Sequence, residues 1–282
     1  NLDLNKLENK IKSFNKYKKK IKAVIAVDYA GNPCDWSNLR YLGNKYNLTL
    51  INDNCHALGA KLNNDSKYAI KYADIISQSF QSLKNITTGE GGAVITNDSK
   101  IMKKINIFRN HGFINSFKYK KNWNREMYEP GYNYRITDFQ SALGLSQLKK
   151  INQFVSKRRA IAKIYDNFFY PIENTTVPYL EKNCFHSYHL YPLQINFKKI
   201  RINKSDLLNY FLKNKFYLQV HYKPIHLYKF YQKKFSYKFG DFPNAEKFYN
   251  NEISLPIHPN LNYKEQNYFL KLFKNFVKFK IN

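Results

Sequence analysis

Cysteine is scarce in this 282-residue chain, with only Cys34, Cys55 and Cys184. An odd number of widely spaced thiols makes no disulfide framework and offers no CxxC pair to a metal, so reduced thiols are the simplest account. Long apolar runs are missing too. None approaches the roughly 20 residues that a membrane-spanning helix needs, and the opening Asn1-Leu2-Asp3-Leu4 lacks the layout of a signal peptide. A soluble, cytoplasmic protein without a membrane partner is the expectation. Acidic residues number 20 against 47 basic, giving a net charge of +27. Arginine is also sparse, supplying seven of those 47. Proteins that read nucleic-acid sequence usually lean on arginine, and helix-turn-helix, zinc-finger and RRM spacings are absent here. The lysines are spread along the whole length. They accompany many Asn, Tyr, Phe and Ile, residues that share A- and T-rich codons. No nucleic-acid partner is therefore expected, whereas an anionic substrate would benefit from the positive field. The first residue is not Met, and helical spacing begins at once, at Leu4. Further sequence upstream is the expectation, with a processed or engineered start as the alternative.

What is present argues for a sizeable folded core: 43% of residues are hydrophobic and 17% aromatic. Residues 21–30 read as a buried strand, being short and rich in Val and Ile. Asp35 is placed to cap a helix running to about residue 46. Further strands are expected at 48–51, 74–80 and 93–96, and a helix at 99–108. Strands alternating with helices imply a mostly parallel sheet, hence an α/β domain. Residues 113–132 read as a loop, either a solvated surface or a flap over a ligand. Helices follow at 136–147 and 151–169. After Pro171 the texture changes, and 188–195, 204–212, 217–221, 243–249 and 263–277 read as strand, helix, strand, helix and helix. The expected division is a major domain at 1–155 and a smaller C-terminal α+β domain at 156–282.

Two functional groups fall where open α/β sheets place their ligands, at the C-terminal ends of strands. Asp53 follows the run 47–51, and Lys84 follows the run 73–80. Taken singly, each has an ordinary reading: most lysines are solvated charges, and an Asp after a strand is commonly a cap or turn former. Together they supply what pyridoxal phosphate (PLP) chemistry requires. One is a lysine able to form a Schiff base; the other is a carboxylate that keeps the pyridine nitrogen protonated. Ser79 precedes the lysine, and Thr-Thr-Gly-Glu-Gly-Gly follows it, a run that lets backbone approach a ligand closely. His56 lies just after the aspartate, and an Asn-Tyr-Arg element spans 133–135. No metal-binding constellation is found.

The ordered series VDYAG (27–31), DNCHALG (53–59), SFQSLKNITTGEGGAVITND (79–98), RNHG (109–112), GYNYRITDFQSALGLSQL (131–148), QVHYKP (219–224) and ISLPIHPNL (253–261) resembles the PLP-dependent sugar aminotransferases of the DegT/StrS family. Within it, VDYAG, SALGLSQLKK, QVHYKPI and EISLP are similar to the transaminases of pseudaminic acid biosynthesis. The resemblance implies a fold-type-I PLP-dependent transferase, working as a homodimer whose active site is shared between subunits. Its implied reaction moves an amino group, with glutamate as donor, to the C4 ketone of a UDP-linked 4-keto-6-deoxy-N-acetylhexosamine. Lys84 aligns with the Schiff-base lysine that also shuttles the proton, and Asp53 with the partner of the pyridinium. His56 matches the residue near the cofactor's phenolic oxygen, and Ser79 a phosphate ligand. Asn133, with Arg135 beside it, matches the asparagine that reaches the neighbouring subunit's phosphate. Gln219, His221, Tyr222 and Lys223 match a segment that touches the nucleotide sugar, although His221 and Tyr222 equally suit satisfied core positions. Gln81 stands where family members commonly carry His. The family's N-terminal third, with its Gly-Thr phosphate turn and ring-stacking aromatic, has no counterpart here and is expected upstream. A sugar dehydratase of this fold would use His in place of Lys84. From a different class, a non-catalytic regulatory protein that binds PLP or nucleic acid, or an inactive fragment, is the competing reading.

Overall fold

The computed structural model describes residues 1–16, 20–113, 126–181 and 183–281. Two compact units divide the chain, Asn1–Gln153 with Lys182–Ser187, and Phe154–Glu181 with Tyr188–Asn282.

The first unit begins with α1 (Leu4–Lys16), which turns Ile11 into the core with Leu4 and Leu7 beside it. Next come β1 (Ala23–Val27), α2 (Trp36–Tyr46) and β2 (Thr49–Asp53). Asp35 caps α2 by accepting from Asn38 N, and Asn47 closes it in the left-handed region at φ 51°. Trp36, Leu39 and Leu42 lie one helical turn apart and are buried, each contributing about 2 kcal/mol by leaving water. The helix sits so close to the sheet that a Cβ on Gly43 would lie 3.1 Å from Leu50. The short β3 (Lys61–Leu62) pairs antiparallel with Cys184–Phe185, and α3 (Tyr68–Tyr72) follows. Then come β4 (Ile75–Ser79), β5 (Gly92–Ile95), α4 (Ser99–Phe108) and α5 (Asp138–Leu148). The main sheet has the order β1-β2-β4-β5.

β1, β2 and β4 are parallel, as the alternating pattern predicts, but β5 runs antiparallel to β4. A loop joins β4 to β5 where a parallel return would need a crossover helix. Val24, Ala26, Leu50, Asn52 and Ile76 face the α2 side and are buried, while Ile25 is 64% exposed and Val27 41%. The expected loop at 113–132 lies mostly at 114–125, outside the described residues.

α6 (Ile151–Phe169), which enters the second unit at Phe154, leads to β6 (Thr175–Thr176), while β7 (Cys184–Phe185), the partner of β3, belongs to the first unit. There follow β8 (Tyr191–Ile195), α7 (Lys204–Lys213), α8 (Lys229–Phe235), α9 (Pro243–Asn251), β9 (Glu252–Leu255) and α10 (Tyr263–Ile281). A three-stranded antiparallel sheet, β6-β8-β9, packs on a core that includes Tyr165, Phe169, Phe211, Phe269 and Phe273. Phe169 meets Phe273 edge-on, with ring centres 4.8 Å apart, and Phe211 stacks on Phe269 at 4.7 Å. Arg158 of α6 is buried, and its Nη1 donates to the carbonyls of Tyr188, His189 and Ile257. The strand expected at 217–221 is a correction: only Gln219 bridges to Ser254. The reason is local, since His221 N donates to the Glu252 carboxylate and leaves the ladder.

Candidate active site

Strand register builds the site. Val27, Asp53, Ser77 and Val94 form one row across the strand ends. Asn52 faces the buried side, so the alternation of the strand turns Asp53 to the open face. Its Oδ1 accepts from Cys55 N at 3.1 Å, a local turn that lifts the chain away from the strand. Beyond β4, a second turn, Lys84 N to Gln81 O at 3.0 Å, carries the lysine. Asn85 anchors that turn to the loop after Asp53 by donating Nδ2 to Leu58 O at 2.8 Å. Partial burial lowers the pKa of Lys84, while Cys55 and Asp53 act electrostatically in the opposite direction. Burial and neighbouring Asp53 push the Cys55 thiol up to about 11, against the pull of Ser77 and Lys84. Asp53, Cys55, Ser77 and Lys84 therefore form one electrostatic cluster.

His56 is buried. Its Nδ1 accepts from Ala30 N at 3.3 Å, which leaves the ring proton on Nε2. Ala30 (φ 60°) and Gly31 (φ 100°) lie in the left-handed region, and this turn aims that amide at the imidazole. Tyr29 lies alongside, with ring centres 6.1 Å apart. Ser79 ends β4, its Oγ accepting from Gln81 N at 3.4 Å. The glycine-rich run returns into β5 so tightly that a Cβ on Gly92 would lie 2.6 Å from Gln78 O. Gln140 of α5 donates to Glu90 O at 2.9 Å, joining the start of that helix to this run. Asn133 and Arg135 are exposed and hold each other, Arg135 Nε to Asn133 Oδ1 at 3.0 Å. Tyr132 and Tyr134 stack beside them at 4.7 Å.

Gln219, His221, Tyr222 and Lys223 belong to the second unit. There His221 is held twice, its N by Glu252 Oε2 at 2.8 Å and its Nδ1 by Ser254 Oγ at 2.7 Å. Ser254 Oγ donates in turn to Glu252 Oε1 at 2.5 Å. Burial pushes Glu252 up to about 7 and Lys204 nearby down to about 8. Tyr222 is half exposed and Lys223 lies over the ring of Tyr228, 5.2 Å from its centre.

Sequence reasoning missed a buried network under the site. Asp28 is fully buried and accepts from Cys34 N, Trp36 Nε1, Asn52 Nδ2, Asn54 Nδ2 and Tyr68 OH. Gln78 extends it by donating to Asn54 Oδ1. The available signal was a pattern of polar residues at inward strand positions, Asn52 and Gln78.

The donor set suits PLP. A half-buried amine of lowered pKa, a carboxylate, an imidazole bearing Nε2–H and a serine hydroxyl sit at or just beyond neighbouring strand ends, on or beside a face with exposed Val27 and Val94. Among the described residues, no group of three His, Cys, Asp or Glu side chains is placed to hold a metal. Nor is any described helix long and apolar enough to cross a membrane.

The family model for DegT/DnrJ/EryC1/StrS aminotransferases matches residues 1–274. The UDP-4-amino-4,6-dideoxy-N-acetyl-beta-L-altrosamine transaminase of Helicobacter pylori is 39% identical over 263 residues, 92% of this chain and 67% of that one. The solved structure of Helicobacter pylori PseC, an aminotransferase involved in the biosynthesis of pseudaminic acid, superposes with a TM-score of 0.84 at 36% identity, covering 92% of this chain and 68% of that one. The PLP form of Spr1654 from Streptococcus pneumoniae gives a TM-score of 0.80 at 27% identity, covering 93% and 70%. The chain spans about two thirds of the length of these relatives.

Proposed function

The chain belongs to the DegT/DnrJ/EryC1/StrS aminotransferase family, and from that premise we propose that it aminates the C4 ketone of a UDP-linked 4-keto-6-deoxy-N-acetylhexosamine. Glutamate is the proposed donor, and pseudaminic acid or a related sugar the end of the route. The single observation that carries the reading is the electrostatic cluster of Asp53, at the end of β2, and Lys84, in the turn beyond β4. PLP, when bound, supplies an electron sink for the carbon that loses its proton. Lys84 holds the cofactor covalently and moves a proton through its Nζ, a role its lowered pKa favours by supplying neutral amine. Asp53 keeps the ring nitrogen protonated, because an opposite charge within reach raises that nitrogen's pKa. His56 donates Nε2–H toward the ring oxygen, and Ser79 gives its hydroxyl to the phosphate. Exposed Asn133 and Arg135 serve the phosphate bound by a second copy in a homodimer. Gln219, His221, Tyr222 and Lys223 contact the nucleotide sugar, with Lys223 bringing a charge to its phosphates.

The experiment is direct. Intact protein loaded with PLP is tested for a visible band of lysine-linked cofactor, and for 2-oxoglutarate release from glutamate in the presence of the keto sugar. Lys84→Ala is expected to abolish both. A variant that keeps the band and the turnover overturns the assignment.

A further inference from the structure

We propose that Asp28 is a positioning residue for Asp53, aiming the outward carboxylate from the opposite side of the sheet. The inference rests on the proposed role of Asp53 at the pyridine nitrogen. Asp53 is flanked by two asparagines, and both carboxamides donate to the same atom: Asn52 Nδ2 to Asp28 Oδ2 at 3.1 Å and Asn54 Nδ2 at 2.9 Å. The strand is thus gripped on either side of the residue that points the other way. Tyr68 OH donates to that oxygen at 2.7 Å, and also accepts from Asn54 Nδ2 at 2.8 Å.

The other oxygen, Oδ1, is fastened to the start of α2 by Cys34 N and Trp36 Nε1, both at 2.8 Å. Asn54 Oδ1 takes the amide of Gln78, which lies between Ser77 and Ser79 on β4. One buried carboxylate therefore ties together the ends of β1, β2 and β4 and two helices. Sliding or twisting β2 at Asp53 would break buried hydrogen bonds on both sides of it. A catalytic group has to be held within about 0.5 Å of its working position, and supporting hydrogen bonds are how that is achieved. A leucine core beneath the strand could bury as much surface, but it would not set direction.

The test compares Asp28→Asn, Asn52→Ala and Asn54→Ala with Leu39→Ala, a core truncation in α2 outside the network. Asp53→Asn serves as the reference. Each intact protein is measured for its melting temperature, for the dissociation constant of PLP titrated into apo-protein, and for the pH midpoint of the visible band. The Asp28 and asparagine variants are expected to weaken PLP binding about ten-fold or more, as losing supporting partners does at metal sites, and to shift the pH midpoint. Leu39→Ala should lower the melting temperature and leave both other readouts in place. The proposal is overturned if the network variants change only thermal stability, or if Leu39→Ala moves the cofactor readouts equally. Should Asp28→Asn fail to fold, the two asparagine variants decide by the same criteria. If Asp53→Asn itself leaves binding and midpoint unchanged, the proposed function of Asp53 fails. If Asp53→Asn shifts them and the network variants do not, only the positioning role fails.

Discussion

Glu252→Gln is expected to remove a pH dependence from the stability of the second unit. Glu252 is fully buried at the start of β9, accepting from Ser254 Oγ and His221 N. Desolvation outweighs those bonds and the nearby Lys204 ammonium, so its pKa rises from 4.5 to about 7. The sign follows from proton counting. Between those two values the folded state holds a proton that the unfolded state has released, so stability falls as pH climbs through the window. The full displacement corresponds to about 3 kcal/mol, reached above pH 7. Gln preserves the volume and carries no titrating proton. The variant should therefore match the parent below pH 4.5 and exceed it by up to about 3 kcal/mol above pH 7. Lys204 adds a second window of opposite slope. Its pKa falls from 10.5 to about 8, so stability recovers as pH rises between those values. Urea unfolding followed by circular dichroism from pH 4 to 9 measures the difference curve. Parallel curves for parent and variant between pH 4.5 and 7 would falsify the reasoning, because burial would then not be penalising the charge.

Cofactor loading should speed up with pH and level off below the ordinary lysine value of 10.5, since partial burial lowers the pKa of Lys84. A stopped-flow series in which the rate still climbs through that value contradicts the site. Arg158→Ala strands three buried carbonyls and is expected to cost about 3 kcal/mol, read as a lower melting temperature. Gly92→Ala places a Cβ 2.6 Å from Gln78 O, and the forced separation of β4 from β5 should cost about 1–3 kcal/mol in urea titration. Cys34 and Cys55 both have raised pKa values, chiefly through burial. Ellman's reagent at pH 8 should label them slowly in native protein and fast after denaturation, and fast native labelling would show that the loops after β1 and β2 open.

Helices with strong local signals were legible in the sequence. Those at Ser99–Phe108 and Ile151–Phe169 have the bounds their apolar periodicity indicates, and Asp35 caps α2 as expected. Strand ends were less legible. The run 21–30 is a strand only over Ala23–Val27, because Asp28 turns inward to its five donors. Residues 217–221 have strand composition, yet a glutamate from β9 captures the amide that a ladder would have used. The reversal of β5 was illegible for another reason: alternation reveals which residues form strands, not which way a loop returns them.

Family, cofactor and the identity of the chemical groups were settled by the chain itself, because a lysine, an aspartate and a glycine-rich run in fixed order define what chemistry is possible. Which groups stand side by side was decided only by the fold. Register places Val27, Asp53, Ser77 and Val94 in one row, and burial makes Asp28 the shared acceptor for residues between 6 and 40 positions away. Contacts over such separations depend on strand order and on which face is dry, and neither is written in the local pattern of the residues that make them.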